Sequence, residues 1–146
     1  MFLASLTLPF FGFVAFVVLQ QRRIKLNNDL VSLRSRKASK VAEKRLKAAH
    51  QFFKEQKKED FYAEVSQAMW GFVGDKFAIP QSEISIENIL EKLSAKNIDE
   101  NILQNFKRTI ETCEFARYAP STDVSAEMER TYNEAKSTIE SLEKIV

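Results

Sequence analysis

The sequence predicts an all-α fold: one N-terminal transmembrane helix, a long basic juxtamembrane helix, then a small bundle of about four helices. Three observations predict it. Apolar residues recur at steps of three and four through the later part of the chain, the spacing of one helix face. Three Gly and three Pro in 146 residues are too few for the turns a sheet would need. The first 21 residues carry no charged side chain, and charge then divides the rest. Residues 21–58 hold 13 Lys+Arg against 3 Asp+Glu, a balance of +10, whereas residues 59–146 hold 9 against 17, a balance of −8. The predicted organisation is therefore a transmembrane helix over residues 1–21, a basic arm over 22–58 and an acidic cytoplasmic helical domain over 59–146.

The run over residues 2–19 is almost wholly apolar. About 20 such residues cross a bilayer core, and lipid forces them into a helix because backbone groups must pair within the segment. Pro9 and Gly12 are tolerated in such helices. A cleaved signal peptide would show a basic start, a shorter apolar core and a small-residue cleavage site, all missing here. A buried soluble helix would not lack a polar face so completely. The basic arm sets orientation by the positive-inside rule: a single pass with the N-terminus out and the bulk of the chain on the cytoplasmic side. Arg22, Arg23, Lys25, Arg34, Arg36 and Lys37 are the candidate contacts to anionic lipid headgroups. An N-out span starting at residue 1 has no evident translocation signal, so the chain is expected to be the C-terminal end of something longer.

Asn27, Asn28 and Asp29 either break the helix or let it run on. Residues 30–56 read as helix, with Val41, Ala42, Arg45, Ala49, Phe52 and Phe53 on one face and Leu46 beside it. Residues 59–77 carry the widest apolar stripe: Phe61, Val65, Ala68, Met69 and Phe72, broadened by Tyr62, Trp70, Val73 and Phe77. A helix apolar on so many sides belongs at a bundle's centre. Trp70 is the expected core anchor, and Gly71 and Gly74 would permit a close helix crossing. Pro80 bars helix at Ile79. Ser82 or Ser85 caps a helix over 86–95 striped by Ile86, Ile89, Leu90 and Leu93, with Asn97 as its stop. Asp99 caps the next, striped by Ile102, Leu103, Phe106, Ile110 and Cys113, and Pro120 ends it. Residues 121–123 form a loop and cap. The last helix, from 125 to the end, has a heptad-like stripe from Val124 to Val146; packing back onto the domain is preferred to a coiled coil.

Chemistry is sparse. His50 is the one histidine and Cys113 the one cysteine. Cys113 cannot close an intrachain disulfide, fits a reducing compartment, and falls on an apolar face as a small buried hydrophobe. There is no metal-spaced Cys/His cluster and no Gly-rich phosphate loop. The sequence nominates no catalytic, cofactor-binding or metal residue, no cofactor and no small-molecule substrate; the expectation is a non-enzyme.

The segment Asp60-Phe61-Tyr62-Ala63-Glu64-Val65-Ser66-Gln67-Ala68-Met69-Trp70-Gly71-Phe72 and the segment Cys113-Glu114-Phe115-Ala116-Arg117-Tyr118-Ala119-Pro120 carry a resemblance. With the apolar span, the basic stretch Arg34-Ser35-Arg36-Lys37-Ala38 and Ile79-Pro80 between, nearly all of the chain resembles the C-terminal region of BatD proteins, of the Bacteroides aerotolerance group. The resemblance implies a β-rich exported region, one membrane span and a cytoplasmic helical tail. It implies a place in an envelope complex linked to oxidative-stress tolerance, with membrane von Willebrand A-type proteins, a TPR protein and a MoxR-type ATPase as neighbours. It brings no catalytic residue.

The function expected is thus a membrane-anchored scaffold or adaptor whose acidic bundle docks a protein partner, with Arg117 and Tyr118 as candidate contacts. Local helix capping is the simpler role for Arg117. The alternative is a membrane-tethered nucleic-acid-binding regulator, suggested by the basic arm and the short helix pair. Nucleic acid is the less favoured partner, because no aromatic-interleaved basic surface follows the arm.

Overall fold

The computed structural model describes residues 2–120 and 122–145, with side chains from residue 11 onward. Among these residues there are five α-helices and no strand: α1 (Phe2–Lys54), α2 (Lys58–Lys76), α3 (Ile86–Ser94), α4 (Glu100–Ala116) and α5 (Val124–Ile145), with a 3-10 turn at Gln81–Glu83. The chain divides into two units, Met1–Arg34 and Ser35–Val146.

In the first unit, α1 continues through Asn27, Asn28 and Asp29 without a break. Leu, Lys, Arg and Gln around them favour helix enough to carry three weak formers. From Phe11 to Arg34 every side chain is exposed except the half-buried Val17. Phe11 is 73% and Leu19 60% exposed. The side chains of residues 1–10, half of the predicted span, lie outside the described residues. Among the described residues no helix is long and apolar enough to cross a membrane. The expected transmembrane helix over 1–21 is therefore not met by the described part of α1, whose apolar stretch at residues 11–19 falls short of the about 20 residues a bilayer requires.

The second unit is built around α2. Phe61, Tyr62, Val65, Ala68, Met69, Phe72 and Val73 are buried and point in several directions, so α2 packs on both α4 and α5. α4 also packs on α5 and α3. The C-terminal part of α1 buries a narrow stripe of mostly small residues: Ala38, Ala42, Leu46 and Ala49. It runs antiparallel to α2. Ser35 Oγ donates to the Lys76 carbonyl (3.3 Å), Arg45 Nη1 donates to Gln67 Oε1 (2.8 Å), and the Phe53 and Phe61 rings meet at 6.3 Å. As residue number rises on one helix it falls on the other, the register of an αα-hairpin.

The hairpin turn is a Schellman closure. The Lys57 amide donates to the Phe52 carbonyl (2.9 Å), the Gln56 amide donates to Phe53 (3.1 Å), and Gln56 has φ 59°. At the end of α2 the Ile79 amide donates to the Gly74 carbonyl (2.9 Å) across Ala78, at φ 54°. Asn97, the predicted stop, ends α3 at φ 56°. The expected caps are present. Ser85 Oγ, rather than Ser82, accepts from the Asn88 amide (3.2 Å), and Asp99 accepts from Asn101 (2.9 Å). Asp123 accepts from Ala126 (3.2 Å). Ser121, expected in the same capping segment, lies outside the described residues, as does Val146.

α5 packs back onto the domain through Met128, Ala135, Ile139 and Leu142. Thr131 and Thr138 widen its buried face, each hydroxyl donating to a carbonyl four residues back at 2.9 and 2.8 Å.

Two expectations need correction. Trp70 does not anchor the core; it is half-buried at the rim, edge-on to Phe106 at 6.0 Å, while Tyr62, Phe61, Phe72 and Phe106 fill the centre. Gly71 makes no close crossing, since a Cβ there would meet nothing within 4 Å. Gly74 does sit tightly: a Cβ would fall 3.3 Å from Ile84 Cδ1, where the turn after α2 folds back. Gly71→Ala should therefore raise stability by about 0.5–1 kcal/mol through helix propensity alone. Gly74→Ala should lose that gain against Ile84. Urea unfolding of the two variants checks the contrast, and an equal gain at both positions would contradict it.

Candidate functional site

The periodicity of α4 determines which of its side chains are left outside. Leu103, Phe106, Thr109, Ile110, Cys113 and Ala116 form its buried stripe. Phe115 lies off that stripe, and Tyr118 follows three residues later, just past the helix end. They are 76% and 75% exposed. Among the described residues of the second unit they are the two exposed large aromatics. Arg117 lies between them. It is the C-cap residue, and its amide donates to the Cys113 carbonyl (3.3 Å). Its guanidinium lies over the Tyr118 ring, 5.3 Å from the centroid, a cation–π geometry.

This end of α4 meets the α1–α2 turn. Lys58 Nζ donates to the Ala119 carbonyl and ties the loop to the start of α2. Lys57, Lys58, Glu59 and Asp60 face residues 117–120 across a shallow cavity of about 590 Å³. Lys57 pairs with Glu55 at 3.1 Å. The Gln51 amide and Lys57 together hold the Glu55 carboxyl below its ordinary range. Arg117 has no ion pair among the described residues, which leaves its charge available beside two exposed aromatics. Such a combination suits a protein-contact surface, where Tyr and Arg are enriched at the energetic centre. The sequence reading offers Arg117 and Tyr118 as candidate contacts and does not include Phe115. Its signal was a large aromatic out of step with the α4 stripe.

The six candidate headgroup contacts divide between the units. Arg22, Arg23, Lys25 and Arg34 belong to the first, Arg36 and Lys37 to the second, and all six are exposed. None has an ion pair among the described residues. His50 stays exposed, with its ring 5.9 Å from Phe53 and 5.4 Å from Tyr132. Among the described residues, no group of three or more His, Cys, Asp or Glu is placed to hold a metal ion.

Cys113 is buried, and that burial, reinforced by Glu114 and Glu134, pushes its thiol up to about 12. A thiol held neutral is a poor nucleophile, so it packs as a hydrophobe. Tyr62 is also buried; burial, then the Glu127 carboxylate, pushes its phenol up to about 12. The Thr131 hydroxyl gives its proton to the Glu127 carbonyl (2.9 Å). By geometry no hydrogen bond reaches the Tyr62 oxygen among the described residues. Both groups keep their protons in the fold after the unfolded chain has lost them. Stability should therefore fall as pH rises above the ordinary thiol value of 9.0 and phenol value of 10.0, by about 1.4 kcal/mol per pH unit for each group. Urea unfolding at stepped alkaline pH checks this. Cys113→Ala should flatten the first part of the decline and Tyr62→Phe the second, and unchanged slopes would refute the assignment.

No family model, curated protein or solved structure matches the chain, so the exposed end of α4, with its two aromatics and one uncompensated arginine, stands as the candidate site on its own geometry.

Proposed function

We propose that the chain is a membrane-anchored, non-enzymatic adaptor whose helical bundle docks a protein partner. The observation that carries this reading is the exposed apolar stretch of α1, Phe11, Phe13, Phe16 and Leu19, running directly into the exposed cations Arg22, Arg23 and Lys25. Leaving apolar surface in water costs about 25 cal/mol per Å², and the acyl region of a bilayer would cover it. Basic residues beyond the apolar stretch would each gain about 1 kcal/mol beside anionic headgroups. With the apolar sequence of residues 2–10 included, the run has the length of a single span, N-terminus out, with the bundle on the cytoplasmic side of the inner membrane.

The docking end is Phe115, Arg117 and Tyr118. The resemblance to BatD proteins supports an envelope complex concerned with oxidative-stress tolerance, and hence von Willebrand A-type membrane proteins and a MoxR-type ATPase as partners. A nucleic-acid partner has less support. The exposed face of α4 mixes Glu100, Glu111 and Glu114 with Lys107 and Arg108, and Lys107 pairs with Glu111 at 3.9 Å. Phosphate recognition calls for a basic stripe instead.

The test is a crosslinking pulldown from membranes with a C-terminal tag. Specific recovery of the von Willebrand A-type proteins or the ATPase is the expected result. Arg117→Glu, or Tyr118→Ser with Phe115→Ser, should reduce capture by tenfold or more, about 1.4 kcal/mol or above, with helicity unchanged. Undiminished capture by folded variants would remove the docking end from the reading. Release of the protein from membranes by alkaline carbonate would remove the anchor.

A further inference from the structure

A second surface of the bundle has a different chemistry. Between α1, α2 and the Gln81–Glu87 segment runs an open groove of about 720 Å³, a volume within the range of sites that hold several side chains or a small ligand. Its floor is α2, at Trp70 and Gly71, and its apolar walls are Val41 and Ile84. Trp70 is held edge-on to Phe106 (6.0 Å, 87°), which fixes the indole as a platform. Beside it Gly71 leaves the groove open, since a Cβ there would meet no atom of another segment within 4 Å.

The rim is acidic. Arg45, the one cation lining the groove among the described residues, is already engaged: it donates to Gln67 at 2.8 Å and pairs with Glu64 at 3.4 Å. Asp75, Glu87 and Glu114 also line the groove, and none of them has an ion pair among the described residues. A fixed indole beside uncompensated carboxylates favours a cation with an apolar stem. Trp is the best aromatic partner for Lys or Arg, whose methylene stems cover apolar surface while the charge stays at the polar edge.

We propose that this groove takes a Lys- or Arg-bearing segment of a partner protein, with the stem of one basic side chain over Gly71 against Trp70 and its charge among Asp75, Glu87 and Glu114. The inference rests on different residues from the Phe115–Tyr118 end and does not need that end to be a docking site. Charge complementarity selects the occupant. An acidic peptide or a phosphate would meet the rim's repulsion, and an uncharged apolar helix would leave the three carboxylates without counter-charges.

Trp70 is the only tryptophan in the chain, so its emission reports on the groove directly. The full chain in zwitterionic micelles is titrated with a soluble Lys/Ala/Gly peptide and with the same peptide carrying Glu for Lys. The Lys peptide is expected to shift or quench Trp70 emission saturably, and the Glu peptide to leave it unchanged. Gly71→Leu, which fills the space over the floor, should weaken the response about tenfold or more. The pair Glu87→Lys and Glu114→Lys should do the same from the surface, which keeps the test decisive if Gly71→Leu fails to fold. Arg117→Glu should leave the response intact, so failure at the other docking end reads separately. An absent response to the Lys peptide would overturn the proposal, as would an equal response in Gly71→Leu or in the charge-reversed pair. A concentration-dependent shift without peptide would assign the groove to a second copy of this chain and overturn it as well.

Discussion

The other helices of the second unit can be amphipathic because α2 is not. Phe61, Tyr62, Val65, Met69, Phe72 and Val73 are each at most 1% exposed, and they point to more than one side. At about 1.5–3 kcal/mol for each large apolar side chain buried, this helix alone gains on the order of 10 kcal/mol, as much as the whole net stability of a typical domain. Its neighbours then need one stripe apiece. α3 supplies Ile89 and Leu93, α4 a row from Leu103 to Ala116, and α5 Met128, Ala135 and Leu142. α1 supplies a stripe of mostly small side chains, Ala38, Ala42, Leu46 and Ala49. The polar faces left over on α1, α4 and α5 are where recognition can be placed.

Glycine is used unusually in this chain. Its three glycines, Gly12, Gly71 and Gly74, all lie within helices, whereas the three positive-φ positions among the described residues are held by Gln56, Ala78 and Asn97. A side chain at positive φ costs on the order of 1 kcal/mol, more for Gln and Ala than for Asn, whose side chain can bond locally. Tertiary contacts offset that cost. The residues after Ala78 and Asn97 are Ile79 and Ile98, both buried, so each turn is closed by a hydrophobic plug as well as by its hydrogen bonds. Gln56 reaches Ser125 at the start of α5 (3.4 Å). The turns are thus set by the packed bundle more than by their own sequences. A residue-by-residue reading of turn chemistry places a turn at residues 78–81 and a stop at Asn97, but assigns no left-handed backbone to Gln56 or Ala78, for that reason.

The same distinction explains what the sequence made legible. Helix existence, the central place of α2, the caps at Ser85 and Asp99, and the packing of α5 onto the domain all follow from spacing and local hydrogen-bond chemistry. Trp70 was misplaced because size and hydrophobicity say that a residue gains from burial. They do not say whether the facing helix leaves room for it. Phe106 occupies the centre that Trp70 was expected to fill, and the indole takes the rim. Gly71 was misread for a related reason: a glycine on a helix can mark a close crossing or an open floor, and only the neighbouring backbone decides. The continuity of α1 through Asn27, Asn28 and Asp29 was undecided in sequence, because three weak helix formers set against strong flanks nearly balance. At the candidate site, Arg117 and Tyr118 were visible as a charged aromatic pair at a helix end. Phe115 required the α4 stripe to be drawn before its departure from it could be seen.

The last turn of α4 joins the two surfaces. Successive residues on a helix point about 100° apart. Cys113 and Ala116 therefore face the core, Glu114 lines the groove, and Phe115 is left exposed toward the end where Arg117 and Tyr118 follow. Both core positions hold small side chains and both are buried. The buried polar side chains among the described residues, Thr109, Thr131 and Thr138, each donate to a carbonyl of their own helix. Each hydroxyl is thereby satisfied inside its own helix, so none needs a partner across the core. One helical turn thus contributes Glu114 to the acidic groove and Phe115 to the aromatic, arginine-bearing end. Two contacts held at a fixed spacing can act together on one partner, because engaging the first raises the effective concentration of the second. Such cooperation does not require either surface to be strong alone, and it is the property the proposed adaptor would need.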